Sequence, residues 1–514
     1  MKKQILLTLT LLGLSIGLFA QTRYMDEVFS EVSVEADIVF STNFGFFSGF
    51  AAEDTLKMDI YQPMGDTVSS RPLIILMHPG SFLPKGINTL PFGDRKDSAM
   101  VEMCTQFAKR GFVAVASSYR AGWNPASSDQ DVRGGTIITA NVLGALDAKN
   151  CIRFFRQDAA GDNTYRIDPD KVTLGGTNTG GYVALAANNF DEPADLELLK
   201  FRNSMSGESY FDTTLHGNFD GVGGSVNVIQ YEGIDGDPNL ILNMGGAAGD
   251  TSIFNEMDAP VVSITGRNDP LTPDSVGVVV VSGAGGVVPV IEVHGGLVTS
   301  RYLTSIGVNS VFGSVSGDPY TERAEANLLL TGKDPADYLG YYQIQDPATG
   351  YEPWGWYDPN DPNIAQSTDP DSANFIPGAT GSGSRANPFA TKEKALAHID
   401  TVMGFFVPRA MVALGLNMED SIGTSIDQNL RIDAGLDIFP NPTANTLTIR
   451  VGNSAMPIRG MQLIDMSGRV VASLTATRAY EYTLERNRLV DGVYVLKVDF
   501  DAGSVTERVL FAGN

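Results

Sequence analysis

One short glycine-rich segment constrains the fold of this chain more than any other. Residues 175–181 have the sequence Gly-Gly-Thr-Asn-Thr-Gly-Gly and follow the strand-like apolar run 171–174. A strand that turns at once into a helix forms a sharp elbow, in which small flanking residues let a strained backbone push one side chain into a pocket. Gly176 and Gly180 hold the two flanking positions, and Asn178 stands at the centre.

The identity of the central residue restricts the chemistry of this elbow. Where such an elbow is catalytic, its central hydroxyl or thiol attacks an acyl carbon. The carboxamide of Asn178 has no ionisable proton for a general base to remove, so this attack is not open to it. Hydrolysis of the amide to an aspartate would supply a nucleophile, but that route still needs a histidine to activate water.

Strand and helix patterns alternate on both sides of the elbow. Residues 56–63 alternate like an edge strand, while 72–77 and 112–116 are continuous apolar runs typical of buried parallel strands. A helical pattern ends at Gly111, and another covers 145–156. This alternation predicts an α/β fold, a mostly parallel sheet with helices on both faces.

These segments together resemble the α/β-hydrolase superfamily, in particular its carboxylesterase and acetyl-esterase-like branches, over residues 55–416. The loop at 78–82, His-Pro-Gly-Ser-Phe, resembles the oxyanion loop of that family, which is usually His-Gly-Gly-Gly. The resemblance implies that the backbone amides of Gly80, Ser81 and Thr179 are the donors to a developing oxyanion.

The resemblance also implies where the other members of a catalytic triad lie. Residues 259–273 match the family's late strand and acid loop, with Asp269 as the acid. The alternative is a loop aspartate that caps the turn before Pro270. In the family, a histidine follows the last strand, which we place at 309–315, but the loop after it, 316–319, contains none.

Two of the four histidines in the chain are candidates for the base. His294 follows the apolar run 287–293 and qualifies only if that run is the last strand. His398 lies in a helical pattern that resembles the terminal helix of the family. For each of them, the alternative is a surface or packing histidine without a catalytic role.

Charge and cysteine content limit where such a protein works. The net charge of −24 disfavours a nucleic-acid partner. Residues 1–20 have the charged, apolar and small-residue parts of a secretory signal, and no later run reaches the ~20 apolar residues of a membrane span. Cys104 and Cys151 are expected to be buried free thiols, because their helices would cover opposite faces of the sheet.

The segment 318–388 is rich in turn-forming residues and predicts a loop-rich insertion. Two of the three tryptophans of the chain lie in it, which favours either a surface that stacks on sugar rings, a lid, or an insertion with its own small core. The run Asp-Pro-Asn-Asp at 358–361 lacks the spacing of a defined calcium loop. We therefore predict no metal and no cofactor.

The C-terminal residues have a different pattern. After the helical pattern 390–414, the polar stretch 417–435 predicts a linker. Short alternating runs within 436–514 then predict a small all-β sandwich.

Three ordered motifs in this C-terminal segment carry a second resemblance. They are Pro-Asn-Pro at 440–442, Asp-x-x-Gly-Arg at 465–469 and Gly-x-Tyr at 492–494. The segment resembles the C-terminal sorting domain of type IX secretion cargo. The resemblance implies export by the signal peptide and then by the type IX machinery, which recognises residues 436–514, with release or attachment at the outer cell surface.

Two hypotheses for the function of residues 21–416 follow. In the first, a secreted or cell-surface esterase-like protein has a degenerate site and binds a small molecule or a carbohydrate or lipid ester without catalysis. In the second, an active carboxyl-ester hydrolase acts on extracellular acylated polymers with a recruited His294 or His398. Asn178 and the empty histidine position favour the first hypothesis.

Overall fold

The computed structural model describes residues 23–45, 52–84, 92–283, 286–346, 352–356, 391–416, 434–441, 443–465, 469–487, 489–490, 492–501 and 503–511. The predicted signal segment 1–20, the run 358–361 and most of the predicted linker lie outside these residues. The chain divides into two compact units, Tyr24–Asn417 and Met418–Asn514 together with Met1–Arg23.

The larger unit is built on one eight-stranded sheet and a separate hairpin. Its strands are β1 (Val32–Gly45), β2 (Ala52–Pro63), β3 (Arg71–Met77), β4 (Val113–Ser117), β5 (Ile167–Thr177), β6 (Leu240–Met244), β7 (Val261–Gly266), β8 (Val276–Gly283), β9 (Gly286–His294) and β10 (Tyr341–Ile344). The order across the sheet is β1-β2-β4-β3-β5-β6-β7-β10, and β8 pairs with β9 alone. Strand β2 is antiparallel to both of its neighbours, and all other neighbouring pairs in the large sheet are parallel.

Helices cover both faces of this sheet. They are α1 (Ser98–Lys109), α2 (Gln130–Ala159), α3 (Thr179–Asn189), α4 (Thr213–His216), α5 (Gly296–Ser305), α6 (Pro319–Leu330) and α7 (Lys392–Ala413). Alternate residues of β3 enter two separate cores: Leu73 and Ile75 pack with α2 and α3, whereas Ile74 and Leu76 pack with α1 and α7. This strand order with helices on both faces is the α/β-hydrolase fold, and the predicted fold class is confirmed.

The two cysteines lie in these two opposite cores. Cys104 is buried with the residues of α1 and α7, and Cys151 is buried with those of α2 and α3. Both are free thiols, as predicted. Helix α7 is the one helix within the described ranges that has the length and hydropathy of a membrane span, and 61% of its most apolar window is buried in the unit.

The last strand of the sheet lies later in the chain than predicted, so its placement at 309–315 is wrong. A 3-10 helix at Val308–Ser314 occupies that segment, and β10 is the eighth strand, parallel to β7. The carboxamide of Asn309 bonds the backbone N–H and carbonyl of Val261, which ties the 3-10 helix to the start of β7. Residues 316–318 form a short connection that leads into α6, and Asp318 caps the start of that helix.

The described part of segment 318–388 also differs from a loop-rich insertion. It contains α6 and β10, and its aromatic residues pack into the core of the unit. Trp354 is fully buried, and the ring of Tyr342 lies 4.8 Å from that of Phe405 on α7. These rings therefore offer no surface for stacking on a sugar. Strand β2 is not an edge strand either, because β1 pairs along it and takes the edge position.

The smaller unit contains only antiparallel strands within its described residues. They are β11 (Leu436–Phe439), β12 (Thr446–Val451), β13 (Ile458–Asp465), β14 (Val470–Ala479), β15 (Glu481–Glu485), β16 (Gly492–Phe500) and β17 (Gly503–Phe511). They form a three-stranded sheet, β11-β12-β15, and a four-stranded sheet, β14-β13-β16-β17. Buried residues of both sheets, among them Ile449 and Val498, share one core, which confirms the predicted β-sandwich.

Candidate functional site

The predicted site residues follow the carboxyl ends of parallel strands. The loop with Ser81 follows β3, Asn178 follows β5, and Asp269 follows β7. Carboxyl ends of parallel strands meet at one edge of a sheet, and ligands of such folds bind there. A fourth segment, with Glu352, follows β10 at the same edge.

The backbone at Asn178 has the strained geometry of an elbow. Its φ of 51° and ψ of −116° are sparsely populated for a residue with a side chain. The two flanking glycines make close backbone approaches, because a Cβ on Gly176 would lie 2.2 Å from the carbonyl carbon of Gly180, and one on Gly180 would lie 2.0 Å from the carbonyl oxygen of Met77. Helix α3 begins directly after this turn, at Thr179.

The side chain of Asn178 is bonded to its own elbow. Its Oδ1 accepts a hydrogen bond from the N–H of Thr179 at 2.8 Å, so the carboxamide occupies the donor that an oxyanion would use. Its Nδ2 has no hydrogen-bond partner among the described residues. Asn178 is 8% exposed, and it lines a cavity. The carboxamide therefore has a fixed orientation, with one unused donor group.

The second predicted oxyanion donor is also bonded within the protein. The N–H of Ser81 donates to Oγ1 of Thr179 at 3.1 Å. The Tyr119 hydroxyl lies 3.2 Å from the same oxygen and 2.9 Å from the carbonyl of His78, to which it donates. No partner for the Gly80 N–H is present in the part of the chain that the structure describes. Two of the three predicted donors are thus satisfied internally.

A partly open cavity of about 70 Å³ lies next to the elbow. Ser81, Asn178 and Thr179 line it on one side, and apolar residues of α2 and of the β8–β9 hairpin line it elsewhere. The described residues around it include no charged side chain. Ser81 and the next residue, Phe82, both have left-handed backbones, with φ of 58° and 53°.

Asp269 lies in a turn after β7. One of its carboxylate oxygens accepts hydrogen bonds from the N–H groups of Leu271 and Thr272, each at 2.8 Å. This is the capping arrangement of the alternative interpretation. Burial raises the pKa of Asp269 to about 7, and the nearby carboxylate of Asp274 acts in the same direction. Leu271 and Thr272 also line the cavity next to Asn178.

The structure pairs the two candidate histidines with groups outside the elbow. The imidazole of His294 lies 3.0 Å from the N–H of Thr251 and 3.5 Å from the carboxylate of Asp250. The imidazole of His398 lies 3.6 Å from the carboxylate of Asp346. Burial lowers the pKa of both histidines. Their role as a base stays a prediction, and these contacts do not support it.

Sequence reasoning missed Glu352, which lies beneath the elbow. Its Oε1 accepts a hydrogen bond from the hydroxyl of Thr177, the residue before Asn178, at 3.1 Å. Glu352 is 2% exposed, and burial raises its pKa to about 8, with Asp97 as the next cause. The segment after the last strand, where the family has its histidine, therefore delivers a carboxyl group here. The residues next to Glu352 in the sequence are turn-forming, and they gave no signal that its carboxyl group lies under the elbow.

A larger groove of about 420 Å³ lies near the start of α2. Asp131, Lys200 and Arg202 are among its charged lining residues, and none of the predicted site residues lines it. Its charged groups are already paired: Lys200 lies 2.6 Å from Asp250, and Asp131 accepts from the Tyr210 hydroxyl. The smaller cavity at the elbow is therefore the candidate functional site.

Comparisons with known proteins describe both units. Residues 437–512 match the family of secretion system C-terminal sorting domains. An esterase from the Planctomycetes species Thermogutta terrifontis is similar in structure, at 18% identity over 47% of this chain and 72% of the esterase, with a TM-score of 0.27. A truncated carbohydrate esterase from gut microbiota is 16% identical over 48% of this chain and 80% of that protein, with a TM-score of 0.29.

Comparison with curated protein sequences gives no match. The similarity to the two esterases concerns the fold, and it carries no argument about activity at these values. The larger unit has the α/β-hydrolase fold that its strand order and helices define, and residues 437–512 match a secretion sorting domain.

Proposed function

We propose that this protein is exported by type IX secretion and binds a small ligand at the elbow without hydrolysing it. The observation that carries the proposal is the carboxamide of Asn178, which is bonded to the N–H of Thr179. A nucleophile needs a proton that a base can remove, and Asn178 has none. An oxyanion needs free donors, and this donor already has an acceptor at 2.8 Å.

The lack of a histidine in the sequence shortly after the last strand supports the same proposal. With β10 as the last strand, the family's histidine would fall shortly after Ile344, but the sequence has no histidine from there to His398. The loss of nucleophile and base together is expected of a site that no longer performs acyl transfer, since either loss alone removes most of the catalytic power.

The sorting domain supports the proposed destination. The first and last residues of the Asp-x-x-Gly-Arg motif form an ion pair, because Nε of Arg469 lies 3.0 Å from the carboxylate of Asp465. Tyr494 of the third motif is buried, and its hydroxyl donates to the carbonyl of Val490. We infer that residues 436–514 are the part recognised by the secretion machinery, and that the larger unit acts outside the cell.

Ester hydrolysis by the full chain tests the proposal. The initial rate with p-nitrophenyl acetate is measured for the wild type, Asn178→Ser and Asn178→Ala. We expect no turnover above the uncatalysed rate in the wild type or in Asn178→Ala. Turnover by the wild type that is lost in Asn178→Ala would overturn the proposal and favour an active carboxyl-ester hydrolase. Wild-type turnover that survives Asn178→Ala would place the chemistry elsewhere in the chain.

The Asn178→Ser variant distinguishes the loss of the nucleophile from the loss of the histidine base. Activity that appears only in Asn178→Ser would mean that a histidine reaches the elbow after all, and that the wild type lacks only the nucleophile. Inactivity of Asn178→Ser, with an unchanged melting temperature, is the result that we expect from the contacts of His294 and His398.

A further inference from the structure

We propose that the cavity at the elbow binds a small uncharged molecule whose polar end both donates and accepts hydrogen bonds, such as a primary amide or an alcohol on a short aliphatic body. This inference rests on the proposed function, since it assigns a ligand class to the same cavity. It stands on two carboxamides that each have a polar atom without a partner among the described residues, on the absence of charge from the described lining, and on the size of the cavity.

The first carboxamide is that of Asn178. Its Oδ1 is bonded to the N–H of Thr179, which fixes the plane of the amide, and its Nδ2 has no partner within the described ranges. Because Asn178 lines the cavity, a ligand with a hydrogen-bond acceptor would satisfy this donor. A donor held in place by a second hydrogen bond loses little rotamer entropy on binding.

The second carboxamide is that of Asn141 on α2, which lines the same cavity. Its Oδ1 is buried and has no hydrogen-bond partner, and none of the described residues bonds its Nδ2. Leaving such a group unpaired costs about 1–3 kcal/mol, so the site favours an occupant with both a donor and an acceptor.

The rest of the lining selects against charge and against large polar groups. Trp123 presents its ring, because its Nε1 donates to the backbone carbonyl of Arg133. The hydroxyls of Tyr182 and Thr272 bond each other at 3.1 Å. Ile138 and Val293 are buried beside them. Transfer of an unpaired carboxylate or ammonium group into such surroundings is far more costly than that of a neutral amide.

The size of the cavity limits the ligand. A cavity of about 70 Å³ favours a molecule with a short aliphatic body. The β8–β9 hairpin lines one side through Val279, Val280 and Ile291, which gives that side an apolar wall. A short neutral molecule would cover the apolar walls.

The test compares three probes of matched size at pH 7 with the purified full chain: propionamide, propionate and propylamine. Binding is followed by ligand-observed saturation-transfer NMR with titration. We expect propionamide to bind at least about tenfold more tightly than either charged probe. Equal or tighter binding of propionate, or no binding of propionamide at millimolar concentration, would overturn the assigned ligand class.

Variants connect binding to the carboxamide of Asn141. Asn141→Leu and the near-isosteric Asn141→Asp are each expected to weaken propionamide binding about tenfold. Asn189→Ala is the matched control, because Asn189 is also a buried, unpaired carboxamide of the described residues but does not line the cavity. An unchanged affinity in both Asn141 variants, with folding verified by melting temperature, contradicts the inference.

The same preparations are assayed with p-nitrophenyl acetate. Ester turnover by the wild type would defeat the proposed non-catalytic function, whatever the probes do. Absent turnover together with a preference for propionate would defeat the ligand class and leave the non-catalytic role intact.

Discussion

Glu352 makes the stability of the larger unit depend on pH, and the neutral variant Glu352→Gln is expected to remove that dependence. Glu352 is buried under the elbow, with a hydrogen bond from the Thr177 hydroxyl. Burial and then the carboxylate of Asp97 raise its pKa from 4.5 to about 8, against the opposing effect of the Thr177 hydrogen bond.

The sign and size of this pH dependence of stability follow from proton linkage. The folded state holds the Glu352 proton more tightly than the unfolded chain does, so its contribution is most favourable below pH 4.5. Stability is then lost as the pH rises to about 8, and it stays low above that value. At about 1.36 kcal/mol per pKa unit, the interval from 4.5 to about 8 corresponds to a loss of about 5 kcal/mol.

Urea unfolding at pH 5 and pH 9, followed by tryptophan fluorescence, measures this effect. All three tryptophans lie in the larger unit, so the signal reports on that unit alone. Glutamine keeps the shape of the side chain and an acceptor for Thr177. We expect the two proteins to differ by about 1 kcal/mol or less at pH 5, and Glu352→Gln to be several kcal/mol more stable at pH 9.

The difference in stability between the wild type and Glu352→Gln cancels the contributions of the other titrating groups. Burial also raises the pKa values of Asp269 and Asp258 to about 7, and their pH dependence is common to both proteins. Glu256→Gln, at an exposed position, is the control and should shift stability equally at both pH values. The reasoning is refuted if the difference between the wild type and Glu352→Gln is the same at pH 5 and pH 9.

Two further predictions concern the elbow and the cysteines. Gly180→Ala places a Cβ 2.0 Å from the Met77 carbonyl oxygen, where only backbone is available to move, so we expect a loss of at least about 3 kcal/mol. With an unfolding entropy of about 2.1 cal/mol/K for each of roughly 390 residues, this loss lowers the melting temperature by about 4 °C. The control is Gly161→Ala, whose Cβ would meet its nearest atom at 3.6 Å and should leave the melting temperature unchanged. Burial raises the pKa of Cys104 and brings that of Cys151 to about 12. Ellman's reagent should therefore label neither thiol until denaturant is added. Rapid labelling of the native protein would contradict the packing of both helices.

The sequence alone determined the class of fold and the existence of the elbow. Short continuous apolar runs bounded by turn-forming residues are typical of strands buried on both faces, and the structure places alternate residues of β3 in two cores. The spacing of Gly176 and Gly180 indicated the elbow in the sequence, whereas the close approach of Gly180 to Met77 is a tertiary contact. The sorting domain was equally accessible, because its three motifs can be recognised in order from the sequence alone.

Only the tertiary structure decided which segment closes the sheet and what surrounds the elbow. Segment 309–315 has the apolar content of a strand, but the side chain of Asn309 ties it to β7 as a 3-10 helix. Thr177 and Glu352 are 175 residues apart in sequence, so nothing local to either predicts their contact or the pKa that burial produces. The unpaired carboxamide of Asn141 is likewise a property of the cavity, because whether a polar group finds a partner depends on residues brought together from distant parts of the chain.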